Sequence, residues 1–466
     1  YMPVEVNGGD RSITATNDNI RFYQTINSDT SARTLTLDSG NGNVRIDGAV
    51  GNSAPLNNIN IIAEALTAGA ISLNGALTAT LGGSSSITGV IANGASTANL
   101  VKAGSGTLTL SASNTYTGTT QVSAGTLTVS GSGRLSDSTA VTVDSGAVYN
   151  VAVSDTVASI AGAGSITLGS NTLTSGGSDA STTFSGVISG TNGNIIKAGT
   201  GTLTLSGANT YTGTTTINAG DLTVSGSLHD STAVTIASGA DYNVNASDTV
   251  ASIEGAGNIV IASSQTLTAG DGNDKTLSGV ISGAGNYIKA GSATQTLTGN
   301  NSYTGSTTIS AGLLKIIRDD PTSYLAATSG FTGPGNLTIE SSGDDFTADI
   351  VTGTHVQLAG TALGNLIIGK TGNARQIDLS SDITTTGTQT YNGPVRLVGG
   401  DRTVSTTNSN VIFASTVNSD GTQRALTVAN GTGDTTFTGA IGGSASVKAL
   451  TTTSGQLTAG AITLNG

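Results

Sequence analysis

The sequence predicts an all-β fold, a parallel β-solenoid in which each coil of short strands stacks on the one before. Three observations carry this expectation: repetition at two length scales, short runs in which apolar residues alternate with Thr or Ser, and Gly, Asn, Asp or Ser every few residues between those runs. No stretch shows the three-four apolar spacing of an amphipathic helix over more than a few residues.

The larger repeat is seen by aligning residues 10–75 with 401–466, which needs no gap and gives 29 identities in 66 positions. Asp10-Arg11 matches Asp401-Arg402, INSDTSARTLTL matches VNSDGTQRALTV, and LTAGAISLNG at 66–75 returns as LTAGAITLNG at 457–466. The expectation is one complete period of 391 residues followed by the first 75 of the next, a window on a tandem array, with Tyr1 opening an excised or mature segment. Residues 1–100 open the period, and 401–466 repeat that opening in its successor.

Between them, residues 101–317 hold three related units, starting at Val101, Ile196 and Ile288. They run VKAGSGTLTLSASNTYTGTTQVSAGTLTVSG, IKAGTGTLTLSGANTYTGTTTINAGDLTVSG and IKAGSATQTLTGNNSYTGSTTISAGLLKI. Lys102, Lys197 and Lys289 each precede a tyrosine at one constant interval: Tyr116, Tyr211 and Tyr303. Leu108 and Leu110, Leu127 and Val129, Leu203 and Leu205, and Leu222 and Val224 alternate with Thr, so one strand face is apolar and the other hydroxylated. Leu205 and Val224 should face inward and Thr204 outward. Branched Thr and Val suit the pleated surface, and the intervening Gly, Asn, Asp and Ser supply turns. The third unit stops near Ile317, where RDDPTSY with Pro321 marks a seam. Residues 318–400 form a further solenoid block after it.

Composition fits the same architecture. The apolar share is 36%, but adding the 67 glycines brings it near the globular norm. The apolar residues are chiefly Ala, Val, Leu and Ile, with 3% aromatics and no Trp or Cys, so the expected core is thin and holds no disulfide. Charged residues make up only 10%, which does not match a disordered chain. A net charge of -12 argues against nucleic acid, which needs clustered Lys and Arg. No apolar run reaches the roughly 18 residues that would span a bilayer, so no membrane insertion of this segment is expected. With coils of about 22 residues and stacking near 4.8 Å, one period would hold roughly 18 coils and rise on the order of 85 Å.

The three units resemble the passenger-associated β-strand repeat of bacterial autotransporters. TTTGTQTYNGPVRL, followed by VIFASTVNSDGTQRALTVANGTGDTTFTGAIGG, resembles repeats of giant secreted adhesins related to filamentous haemagglutinin. The resemblance implies a right-handed β-helix, export to the bacterial surface, and a role in adhesion or biofilm matrix. It carries no catalytic residues. Gln295 stands in the third unit where the others have Leu108 and Leu203, so an amide must find partners inside or face out, with local irregularity expected there.

Candidate chemistry is sparse. GNLIIGKT, Gly364 to Thr371, satisfies the phosphate-loop expression, but Leu366, Ile367 and Ile368 read as a strand and no helix follows. AGDGNDKTL, Ala269 to Leu277, resembles one copy of a calcium-binding nonapeptide, making Asp271 and Asp274 the calcium candidates. Such sites form between adjacent coils and need tandem copies, so a turn is the simpler reading. Glu340, Asp344, Asp345 and Asp349 are the densest acidic group, of the kind that glycoside hydrolysis pairs about 5–9 Å apart. Gly343 suggests a turn instead, and no neighbouring Lys or Arg completes a lyase base. His229, in LHDST beside Asp230 and Ser231, lacks triad geometry by adjacency alone, and His355 is the other histidine. Paired Thr could build an ice-binding array, but the pairs shift register between units.

The expectation is therefore a non-enzymatic, structural and adhesive segment of a long bacterial surface or matrix fibre, located outside the cell. It requires no cofactor. Its partners would be further copies of the same repeat, and polysaccharide or host and abiotic surfaces, bound through many weak contacts. The alternative is a β-helical enzyme acting on polysaccharide, which turnover on polymer libraries would reveal.

Overall fold

The structure is a computed structural model that describes residues 2–321, 330–358 and 363–465. Thr322, Ser323 and Tyr324 of the expected seam, and Gly466, lie outside the described residues. Among those described there is no helix, and the described strand pairings are parallel. The protein is a parallel β-solenoid. Its contacts divide it into two units, Tyr1–Thr235 and Ile236–Gly466.

In the first unit the alternation seen in the sequence becomes an inside and an outside. Leu108 and Leu110 of the strand Thr107–Leu110 are fully buried, while Thr107 and Thr109 are half-buried, and Thr126–Val129 and Thr202–Leu205 repeat the pattern. Leu205 and Val224 face inward and Thr204 outward, as expected. Like positions stack on like: Leu108 pairs with Leu127, and Leu127 with Tyr149. One nine-stranded sheet runs from Ile20–Phe22 through Thr107–Leu110 to Val187–Ser189. A second wall carries Leu35–Asp38, Ile59–Ala63, Ala76–Leu81 and Asn99–Ala103 in succession.

Coils are less uniform than the single length expected. Tyr149 stacks on Ile166, Leu108 on Leu127 and Leu35 on Ile59, and the step along the chain lengthens from the first of these pairs to the last. Strands hold their length, and the corners absorb the difference.

The second unit contains a five-stranded sheet from Asp248–Val250 to Phe331–Thr332 and two four-stranded sheets, beginning at Ile350–Val351 and at Ile383–Thr385. A still longer step separates Leu337 from its partner Leu366. Tyr391, Phe413 and Phe437 stack in register, with ring centroids 5.1 and 4.8 Å apart and planes 10° and 1° from parallel. Those spacings match neighbouring strands, so the ring column follows directly from the coil repeat.

Two expectations need correction. The interior is not confined to small aliphatic residues: Tyr116, Tyr149, Tyr211, Tyr242, Tyr287, Tyr303 and Tyr391 are all buried, so the scarce rings are concentrated inside. Nor is the third unit irregular at Gln295. That residue is 2% exposed in an unbroken strand, and its amide donates to the Lys275 and Thr296 carbonyls at 3.4 and 3.3 Å.

Candidate functional site

The most distinctive residues of the three units are brought together inside the coils. Lys102 points inward at the corner between Asn99–Ala103 and Thr107–Leu110, where Gly104 takes φ +73°. A Cβ on Gly104 would lie 2.4 Å from the Leu81 carbonyl oxygen, so the lysine's corner needs glycine both for its dihedral and for its space. The buried Lys102 ammonium donates to the carbonyls of Ala103 and Gly104 at 2.8 Å each, and to Ala124 of the next coil at 3.1 Å. Lys197 repeats this with Ala198, Gly199 and Ala219, and Lys289 with Ala290, Gly291 and Ala311. Burial pushes the Lys102 amine down to about 8, and lowers Lys197 and Lys289 as well. Each lysine clamps two coils through backbone carbonyls.

The asparagine and tyrosine of the same motif do related work. Asn114 accepts from Ile91 N at 2.9 Å and donates to the Ala112 and Arg134 carbonyls, tying three successive coils. Asn209 does the same with Ile188, Gly207 and Ser227. The Tyr211 hydroxyl meets Thr215 Oγ1 at 2.6 Å, and Tyr116 and Tyr303 meet Thr120 and Thr307. In the stretches between motifs, Tyr149 donates to Asp155, and Tyr242 to Asp248 at 2.7 Å. Burial raises Asp155 despite that bond. Sequence reasoning found the regular spacing of Lys102, Lys197 and Lys289 but missed their inward direction; the adjoining A-G was the available signal.

The other sequence candidates are dispersed. Asp271 accepts from the backbone and side-chain nitrogens of Asn273, and Asp274 accepts from Thr294 N at 2.8 Å, so the two carboxylates cap different turns. Among the described residues, no group of three or more His, Asp or Glu is gathered closely enough to hold a metal ion. Leu366–Ile368 is a strand, and Lys370 donates to the Ser342 and Gly343 carbonyls. Glu340 pairs with Lys315 at 2.8 Å, Asp345 caps Ala374 N, and Asp349 accepts from Gln376 N at 3.2 Å. That acidic group is thus divided among separate structural contacts. His229 Nδ1 accepts from Ser231 N, and His355 Nδ1 from Val351 N, both within local turns.

The hydroxyl array is partial. Thr107 and Thr109 stand in register with Thr126 and Thr128, but the next coil offers Val148 and Asn150.

Inward clamps, caps and buried hydroxyl pairs, recurring at fixed spacing, define a solenoid repeat protein whose signature residues serve the stacking of coils. The passenger-associated-transport-repeat family model matches three stretches, residues 100–129, 195–224 and 288–316, so these three units of the chain are similar to that repeat. No curated protein and no solved structure matches the chain significantly.

Proposed function

We propose that this chain is a structural and adhesive segment of a bacterial surface or extracellular-matrix fibre, acting outside the cell by displaying a long repetitive face rather than by catalysis. The observation that supports this most is the inward commitment of Lys102, Asn114 and Tyr116 and their counterparts, which leaves alternate strand positions such as Thr107, Thr109, Thr126 and Thr128 outward. Partners follow from that face. Further copies of the repeat are the first, as the return of 10–75 at 401–466 suggests, and polysaccharides or solid surfaces are the second. The acidic charge disfavours nucleic acid.

The test is retention under flow. Beads carrying the intact chain should hold to polysaccharide films, cell layers or chain-coated glass better than beads carrying an unrelated acidic protein. No excess retention on any of these would overturn the adhesive reading. Incubation with polysaccharide libraries should release neither reducing ends nor unsaturated products. Turnover abolished by Asp344→Ala would replace this reading with an enzymatic one.

A further inference from the structure

One outward cluster in the first unit has no part in the coil clamps. The strands Ile20–Phe22 and Asn43–Ile46 pair so that Arg21 lies beside Arg45. Both guanidinium groups close on one carboxylate: Arg21 Nε and Nη2 donate to Asp47 Oδ2 at 2.9 and 2.8 Å, and Arg45 Nε to Oδ1 at 2.6 Å. Arg21 also lies over the Tyr23 ring, 4.3 Å from its centroid. The ring is half exposed, and so are the two arginine side chains. Two cations against one anion make a positive spot on a chain of net charge -12.

The fold does not require this cluster. Exposed ion pairs contribute little to stability, and the second copy of the repeat dispenses with it. At the equivalent positions there, the buried Ile20 and Ile46 and the half-buried Phe22 become Val411, Phe437 and Phe413, and these three are buried. Arg21, Tyr23, Arg45 and Asp47 become Ile412, Ala414, Thr436 and Thr438. The interior is kept, and the whole outer constellation is exchanged.

The cluster also heads a polar row. Arg45 pairs with Thr67, which is followed one per coil by Ser86, Thr109, Thr128, Asn150, Thr167 and Ser189. The rungs are about 4.8 Å apart, as strand spacing dictates.

We propose that Arg21, Tyr23, Arg45 and Asp47 form a binding site for a carboxylate-bearing polysaccharide, whose chain continues along the row from Thr67. This names the partner of the adhesive face proposed above and rests on that reading. Each element has a chemical reason. Guanidinium groups bind carboxylate through paired N–H donors. Asp47 occupies part of each fork and holds the two arginines side by side, leaving their other N–H groups for ligand. The half-exposed Tyr23 ring offers an apolar surface to the C–H face of a sugar. The Thr, Ser and Asn rungs both donate and accept, which suits sugar hydroxyls.

The test uses the intact chain on immobilised polygalacturonate, with dextran as the neutral polymer and dextran sulfate as the anionic polymer lacking carboxylates. Binding should favour polygalacturonate over both and weaken as salt rises. Arg45→Ala should weaken it about tenfold, as truncation of a binding arginine does, and Tyr23→Ala should weaken it too. Lys448→Ala, which removes one charge from an exposed site in the other unit, should leave it unchanged. Circular dichroism should show the same strand signal in all variants. Equal binding by Arg45→Ala and wild type would overturn the proposal, as would an equal loss in Lys448→Ala or a preference for dextran sulfate. If the chain ignores polygalacturonate yet holds to other surfaces under flow, this site falls and the adhesive reading stands. If it holds to nothing, the adhesive reading falls with it.

Discussion

Replacing Lys102 with Met keeps most of the stem volume and removes only the ammonium. Three carbonyl oxygens then lose their shared donor: Ala103 and Gly104 at 2.8 Å and Ala124 at 3.1 Å. Hydrogen bonds to a charged group are worth about 1.5–3 kcal/mol each. Two effects reduce that gross sum. The ammonium sits in a desolvated corner, where burial pushes it down to about 8, so losing the charge recovers part of the cost of burying it. Water can also reach the carbonyls of Ala103, Gly104 and Ala124, which are only half-buried. The expected net loss is about 2–4 kcal/mol. A coil contacts only its neighbours, so the loss should be local. Native-state hydrogen exchange read by mass spectrometry should show peptides spanning 98–129 opening more easily by that amount, with peptides around Leu35 unchanged. Unaltered exchange across 98–129 would refute the clamp, as would an equal effect from Lys448→Met at an exposed position.

Three further outcomes are expected. Leu205→Asp places a charge in a fully buried position and should cost several kcal/mol in chemical denaturation, whereas Thr204→Asp on the outward face should stay within about 0.5 kcal/mol; equal midpoints would mean that inside and outside are misassigned. Among the described residues the buried Tyr287 hydroxyl has no hydrogen-bond partner, so Tyr287→Phe should raise stability by about 1 kcal/mol, and a fall in melting temperature would contradict this. Asp29, held down to about 2 chiefly by Arg33, and Asp420, held down to about 2 by Gly399 N and Arg424, have folded values below the usual carboxylate range near 4. Their contribution is present above that range and is lost as pH falls through about 2; denaturation at pH 5, 3 and 2 should show a shallower acid decline in Asp29→Asn than in wild type.

The strands were readable in the sequence because inward Leu and outward Thr alternate with a period that only a pleated backbone satisfies. Leu108, Leu110, Leu205 and Val224 all stand where that pattern puts them. The larger repeat was readable too, and it extends to details. The Asp29–Arg33 ion pair recurs as Asp420–Arg424, and the cap from Asp10 to Thr34 N recurs from Asp401 to Ala425 N. The lysine clamps were not legible, because hydropathy assigns a cation to water, and only the geometry of the corner shows three carbonyls converging on one point. Gln295 was misjudged for a related reason: an amide beside a strand can use that strand's own carbonyls without leaving the core. Coil length escaped prediction because corners tolerate insertion, so the short step from Tyr149 to Ile166 and the longer one from Leu35 to Ile59 carry equivalent strands. The outward cluster escaped because its two halves, Arg21 with Tyr23 and Arg45 with Asp47, meet only through the register between two coils.

The lysine clamps also bear on how such a molecule would respond to being pulled apart. A stack of coils behaves as a line of units coupled to nearest neighbours, in which unravelling advances as a moving front. Most junctions along that line are held by backbone ladders of similar strength. At Lys102 and Lys197 in the first unit, a charge-assisted bond to Ala124 or Ala219 is added across one junction. A front travelling along the stack would meet these junctions as barriers and pause there, so extension under force should proceed in bursts whose contour lengths are set by the interval between lysines. The same arrests, met in reverse, would let a chain emerging end-first hold what it has already wound before the next stretch arrives.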